Sequence, residues 1–282
     1  MPLLRAGFRK REMRKIAHIS DLHFGAADGL VAERLIECVT SLEPHLLICS
    51  GDLTQRARTA QFEAARAFLD NLPQPQLIIP GNHDVPLYNV YDRFVNPLEK
   101  YESIIAPELE PFISDDEIAV AGINTARSLT IKSGRISREQ AESLRDKMSQ
   151  LPDRMLKIIV THHPFDVPDG EDEDDIVGRA KESLPIIAES GADVFLAGHL
   201  HKSHIGNSAR RYRLDNGYTA LIIQAGTAIS NRERGEENSF NLMEFEHPLL
   251  TIHKYTCPIR AEPFRLAATD RFTHGARGWS RM

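Results

Sequence analysis

Short apolar runs of strand length alternate, from residue 16 to residue 200, with segments whose apolar residues recur at helical spacing. I-A-H-I-S (Ile16–Ser20) is followed by Val31, Leu35, Val39 and Leu42, then by L-L-I-C-S (Leu46–Ser50), then by Phe62, Ala65 and Leu69. The rhythm continues through L-I-I-P, the run A-V-A-G-I-N near residue 120, a helix opened by a capping box from Ser137 to Gln140, M-L-K-I-I-V-T, a helix ending at Gly191, and V-F-L-A-G. After residue 200 only strands are expected, over Tyr218–Gln224, Ser239–Phe245 and Leu249–Tyr255. A chain so patterned folds as an α/β layered sandwich in which part of the sheet system is mixed or antiparallel. No repeat and no Pro-, Gly- or Ser-rich linker divides it, so its 282 residues read as one domain burying roughly three quarters of its surface.

Regular patterning begins at Met13. Residues 1–12 are therefore expected to be a disordered leader, or to lie upstream of a start at Met13, with residues 13–266 as the domain and 267–282 as a loose tail. The leader is basic but precedes no apolar signal-peptide core, and no run of about 18 apolar residues occurs. The three cysteines, Cys38, Cys49 and Cys257, are widely spaced and odd in number, which favours free thiols and a cytoplasmic setting. With 34 basic and 40 acidic side chains the net charge is -6, and no dense Lys/Arg stripe is interleaved with aromatics, which disfavours extended nucleic acid as a partner.

Five strand-ending loops carry the same chemistry: S-D-L-H (Asp21, His23), S-G-D-L-T (Asp52), G-N-H-D (Asn82, His83, Asp84), T-H-H-P (His162, His163) and G-H-L-H (His199, His201). Each alone is ordinary loop composition, because Gly, Asn and Asp suit turns and a lone D-x-H or H-x-H makes a polar strand end. Five together are hard to explain as polar groups of a core. In open α/β sheets, sites form beyond the carboxyl ends of strands, so separate loops converge on one crevice. Residues two apart on an extended segment project to the same side and can reach one ion. Carboxylate, imidazole and one amide oxygen, without thiolate, suit Mn, Fe or Zn.

This series resembles the calcineurin-like metallophosphoesterases, whose pattern is D-x-H, G-D, G-N-H-D, a later His, and G-H-x-H. All blocks occur in order between about Lys15 and His201. I-S-D-L-H-F-G, S-G-D-L-T, P-G-N-H-D and A-G-H-L-H look most like the bacterial cyclic-nucleotide and glycerophosphodiester phosphodiesterase branch. The resemblance implies a four-layer αββα sandwich, two mixed sheets flanked by helices, holding two divalent or mixed-valence metal ions (Mn, Fe or Zn). It would place Asp21, His23 and His201 on the first ion and Asn82, His162 and His199 on the second, with Asp52 bridging. His83 would face the substrate, oriented by Asp84.

The expected reaction is hydrolysis of a small phosphodiester or nucleotide substrate, a 3',5'-cyclic nucleotide among the candidates, by attack of a metal-bridging hydroxide. Two alternatives stay open: a pyrophosphatase of a nucleotide-linked sugar or lipid, of the UDP-diacylglucosamine type and requiring an apolar groove, and a non-catalytic scaffold that retains the fold. A nuclease fits the charge less well. His163 and His18 read as packing or supporting groups, and Thr54 and Thr161 as loop hydrogen-bonders. Arg232 or Arg234 is a candidate phosphate contact, with a solvated hairpin as the competing reading. The segment 166–175 has seven acidic positions in ten. It reads as a solvated loop leading into a helix N-terminus, or as an overhang that repels highly charged ligands. The oligomeric state is not legible in the sequence.

Overall fold

The computed structural model describes residues 13–87, 90–130, 132–212, 217–231, 236–259 and 262–282; the leader, Arg232 and Arg234 lie outside the described residues. The chain runs β1 (Arg14–Ile19), α1 (Gly29–Leu42), β2 (Leu46–Cys49), α2 (Thr59–Leu69), β3 (Gln76–Ile78), then the short helices α3 (Val90–Val95) and α4 (Glu99–Ile104). There follow β4 (Phe112–Ser114), β5 (Ile118–Gly122), α5 (Arg138–Met148), β6 (Leu156–Val160), α6 (Ala180–Ala188), β7 (Val194–Ala197), β8 (His204–Asn207) and β9 (Leu221–Gln224). Four antiparallel strands close it: β10 (Asn238–Glu246), β11 (Leu249–Cys257), β12 (Arg265–Gly275) and β13 (Gly278–Arg281).

Two mixed sheets result, seven strands in the order β13-β12-β11-β10-β1-β2-β3 and six in the order β4-β5-β6-β7-β9-β8. Strand alternation dictates how they stack. In β1 and β2, Ala17, Ile19, Leu47 and Cys49 pack with Val31, Leu35, Val39, Phe62 and Leu69 of α1 and α2. Ile16, Leu46 and Ile48 point the other way and meet Ile158, Val160, Val194 and Leu196 of the second sheet. The outer face of that sheet, with Ala119, Ile159 and Phe195, is covered by Ala141, Leu144, Leu184 and Ile187 of α5 and α6. The central strands β1, β2 and β5 to β7 are thus buried on both faces, which is why the sequence shows continuous apolar runs there rather than alternation.

The helices begin where their caps dictate. Asp28 Oδ1 accepts from the backbone N–H groups of Leu30 and Val31 at the start of α1. Ser137 and Gln140 form the expected reciprocal box at α5, the Ser137 hydroxyl accepting from Gln140 N at 3.1 Å and Gln140 Oε1 from Ser137 N at 2.8 Å.

The expectation of a loose tail after residue 266 is corrected by β12 and β13. Residues 265–281 form the edge of the larger sheet, with Phe272 and Trp279 buried against its inner face. The Trp279 indole N–H donates to Asp193 Oδ1 at 3.0 Å, tying this edge to the start of β7. The first residues of β12 are exposed, so hydrophobic patterning gives little sign of the strand.

Register positions the site. Ile19 pairs with Cys49 and Cys49 with Ile78, so the loops after β1, β2 and β3 leave one edge together. Val160 pairs with Leu196, which brings the loops after β6 and β7 out side by side.

Candidate metal centre

Pairing between the first two loops outlasts the strands. Asp21 N donates to Gly51 O at 3.1 Å, His23 N to Asp52 O at 2.9 Å and Phe24 N to Leu53 O at 2.8 Å. The two sheets are stitched across the crevice by His162 Nδ1, which donates to Ser50 O at 2.8 Å, and by His199 N, which donates to Asp21 Oδ2 at 3.1 Å. Loops approach closely enough that a Cβ at Gly81 would collide with the Asp52 carboxylate and one at Gly198 with Ser20 and Asp21. Backbone strain concentrates here too. Among the described residues eight non-glycine positions have positive φ, and Asp21, His23, Asp52, His199 and His201 are five of them. At roughly 1–3 kcal/mol each, such conformations persist where the surroundings hold side chains in a required direction.

Two donor clusters follow, sharing Asp52. His23 Nε2 lies 3.5 Å from Asp21 Oδ1 and 3.6 Å from Asp52 Oδ2, and His201 Nε2 lies 3.7 Å from Asp21 Oδ1. On the other side, Asn82 Oδ1 lies 3.1 Å from both His162 Nε2 and His199 Nδ1, and His162 Nε2 lies 3.3 Å from Asp52 Oδ1. Donors bound to one ion at about 2.1 Å stand roughly 3–3.5 Å apart, which these separations approach. The seven side chains expected to gather do gather, and Asp52 turns one oxygen to each group.

Polarity supports the same fit. Both ring nitrogens of fully buried His23, and Asp21 Oδ1, lack a hydrogen-bond partner. An unpaired buried polar group costs roughly 1–3 kcal/mol, a penalty a cation removes. Burial would keep the His162 ring neutral, yet the Asp52 carboxylate beside it holds its pKa up to about 9. Burial likewise opposes ionisation of Asp52, but the adjacent His162 keeps its carboxyl well below the usual range. The crevice therefore favours positive charge.

His83 donates its Nδ1–H to Gln55 O at 3.1 Å and lies edge-on to His23, with ring centroids 4.9 Å apart. It lines a cleft of about 210 Å3 together with Gln55, Arg56, Leu87, Arg93 and Lys132. The expectation that Asp84 orients this ring is corrected. Asp84 Oδ2 accepts from Leu53 N and Gly81 N, and Oδ1 from Thr54 N and the Thr54 hydroxyl, at 2.9 to 3.1 Å. Both oxygens are committed to backbone of the two loops, so Asp84 fixes where His83 stands while the Gln55 carbonyl turns its ring. Burial, and secondly the Asp52 charge, push the Asp84 carboxyl up to about 6.

His163 is near the ligands but engaged elsewhere, its Nε2 donating to Lys132 O and its Nδ1 accepting from Thr125, both at 2.8 Å. His18 is buried against Ser50, with Nε2 2.9 Å from the hydroxyl. The acidic segment is exposed over much of its length, as a solvated loop is, but ion pairs hold it to the rest of the chain. Asp166 and Glu173 pair with Arg211 at 2.7 and 2.6 Å, Glu171 with Lys202 at 2.5 Å, and Asp169 with Arg210. Asp175, at its end, is buried and reaches Lys132 at 2.5 Å and His199 at 3.5 Å. Sequence reasoning missed Arg56, Lys132 and Asp175. Only Arg56 carried a signal, as the base closing the S-G-D-L-T-Q-R stretch.

A layered sandwich whose strand ends gather carboxylates, histidines and one asparagine around a shared aspartate is the architecture of a metallophosphoesterase. The chain belongs to the calcineurin-like phosphoesterases, hydrolases of phosphoesters, with residues 14–203 matching that family. It is 28% identical over 206 residues to a Synechococcus protein named a probable cyclic nucleotide phosphodiesterase, covering 67% of this chain and 74% of that one. It is 22% identical over 203 residues to the 3',5'-cyclic adenosine monophosphate phosphodiesterase CpdA of Escherichia coli, covering 67% and 70%. The fold is shared with a purple acid phosphatase from yellow lupin (Lupinus luteus), with TM-score 0.70 and 10% identity over 94% of this chain and 54% of that one. This chain thus spans about half the lupin chain. No helix among the described residues is long and apolar enough to cross a membrane.

Proposed function

We propose that this protein is a dinuclear-metal phosphodiesterase acting on a small diester, with 3',5'-cyclic nucleotides as the leading substrate class. The observation that carries the reading is the double engagement of Asp52, one oxygen beside His162 and the other beside His23. When bound, a pair of ions supplies Lewis acidity, neutralising phosphoryl oxygens and lowering the pKa of water. Asp21, His23 and His201 would hold one ion, Asn82, His162 and His199 the other. His83, with Nδ1–H fixed on Gln55 O, presents its other nitrogen to stabilise phosphoryl charge or to protonate the departing alkoxide. Arg56 and Lys132 line the cleft and would bind the diester anion. Three widely spaced cysteines, odd in number, suit a cytoplasmic enzyme.

Family relatives named as cyclic nucleotide phosphodiesterases support the substrate class. The test is metal analysis followed by turnover of cyclic nucleotides, linear diesters, monoesters and pyrophosphates after Mn2+ loading. Faster cleavage of diesters than of the other esters is expected, and preference for pyrophosphates would overturn the assignment. One observation favours that second reading: α3, whose Arg93 lines the cleft, exposes Tyr91, Phe94 and Val95, an apolar surface suited to a lipid-linked pyrophosphate.

A further inference from the structure

The acidic segment 166–175 ends in a single helical turn, Glu173–Asp175, and its last carboxylate turns inward. Asp175 is 4% exposed, a placement that costs several kcal/mol for a carboxylate unless it is paired. Its Oδ1 stands 3.5 Å from His199 Nε2 and 2.5 Å from Lys132 Nζ. The other nitrogen of the same ring, Nδ1, stands 3.1 Å from Asn82 Oδ1 within the second donor cluster. His199 Nε2 is buried without a hydrogen-bond partner, and Asp175 Oδ1 is the acceptor beside it. Carboxylate, imidazole and donor cluster therefore stand in series.

We propose that Asp175 is a positioning residue for the second ion, accepting Nε2–H of His199 and so fixing the tautomer that presents the Nδ1 lone pair to the site shared with Asn82 and His162. The proposal rests on the dinuclear reading above. A neutral imidazole carries one proton, and the nitrogen that bears it is set by the acceptor it faces. An acceptor at Nε2 leaves Nδ1 free to bind a cation, and the nearby negative charge raises the basicity of the ring. The preceding ion pairs of Asp166 and Glu173 with Arg211, and of Glu171 with Lys202, strap the segment down and deliver Asp175 to this position. An acid-rich stretch of the sequence thereby acts through one residue rather than through its net charge.

The test is calorimetric titration of the metal-stripped full chain with Mn2+, with thermal unfolding of each metal-stripped variant as the check on folding. The parent is expected to bind two ions. Asp175→Ala should weaken one of them by roughly 10- to 100-fold and leave the other within about twofold. Asp175→Asn keeps an acceptor in place and should recover part of the loss. Asp174→Asn removes an exposed charge from the same segment outside both the donor cluster and the ion pairs that hold the segment, and should bind both ions as the parent does. Unchanged binding in Asp175→Ala, or an equal loss in Asp174→Asn, overturns the positioning role while leaving two ions in the parent. A parent that binds fewer than two ions removes the dinuclear reading itself, and the proposal with it.

Discussion

The backbone N–H of His83 donates to Oδ1 of Asp52 at 2.8 Å. The residue that faces the cleft is thereby held in register with the carboxylate both donor clusters share, through an atom that every substitution except proline preserves. Side-chain and backbone contributions of His83 can then be separated. His83→Ala is expected to retain the metal content of the parent and to lower kcat by roughly 100- to 10,000-fold, the range of a lost general acid or charge-stabilising group. Elemental analysis beside steady-state kinetics checks both halves, and loss of metal would make His83 a ligand instead.

Asp84 carries a different expectation. Its carboxylate accepts from the buried N–H groups of Leu53, Thr54 and Gly81, and leaving one buried donor unpaired costs about 1–3 kcal/mol. Asp84→Ala should lower unfolding stability by about 3 kcal/mol or more, read as a drop in the urea midpoint. If the substitution cuts turnover while stability stays within about 0.5 kcal/mol of the parent, Asp84 acts on the chemistry directly and the loop-anchoring role is wrong.

Much of this arrangement was legible in the sequence because it is locally encoded. Apolar runs mark strands buried on both faces, and Asp21 with His23 or His199 with His201 announce shared direction through two-residue spacing. The partner of Asp84 was not legible. G-N-H-D suggests an imidazole–carboxylate pair, and only the parallel register of β2 with β3 shows the carboxylate bonding the loop of the neighbouring strand instead. Asp175 was hidden in a ten-residue stretch with seven acids that composition treats alike; its role depends on Lys132 and His199, which the fold alone brings to it. The tail misled for a related reason. A half-exposed edge strand shows no periodic apolar signal, and burial of Phe272 and Trp279 depends on the face of a sheet assembled from distant strands.

Trp279 makes the edge of that sheet directly observable, since it is the chain's one tryptophan. It is 5% exposed and its indole N–H is bound to Asp193. Native emission should be blue-shifted and resist acrylamide quenching, then shift red in one cooperative step together with the loss of circular dichroism. Emission already red and freely quenched in the native protein would mean that residues 265–281 do not dock. A red shift well before the main transition would mean that the edge opens as a separate unit.

The dependence of stability on pH follows from His18. Burial, opposed in part by the Asp21 charge, lowers its pKa from 6.5 to about 3, so the folded chain keeps the ring neutral over a range in which the unfolded chain protonates it. The unfolded state then binds the extra proton, so this contribution is fully present above pH 6.5 and is lost as pH falls toward 3. Between pH 7 and pH 5 the loss from this one group is about 2 kcal/mol, at about 1.4 kcal/mol per pH unit below the unfolded pKa. Urea unfolding of metal-stripped protein at the two pH values, in the parent and in His18→Gln, isolates it. The parent should lose about 2 kcal/mol more than the variant over that interval, because glutamine fills the same position without titrating. Equal losses would mean that His18 accepts its proton in the folded state, which requires the Ser50 hydroxyl and the Asp21 carboxylate beside it to offset the burial of a charged ring.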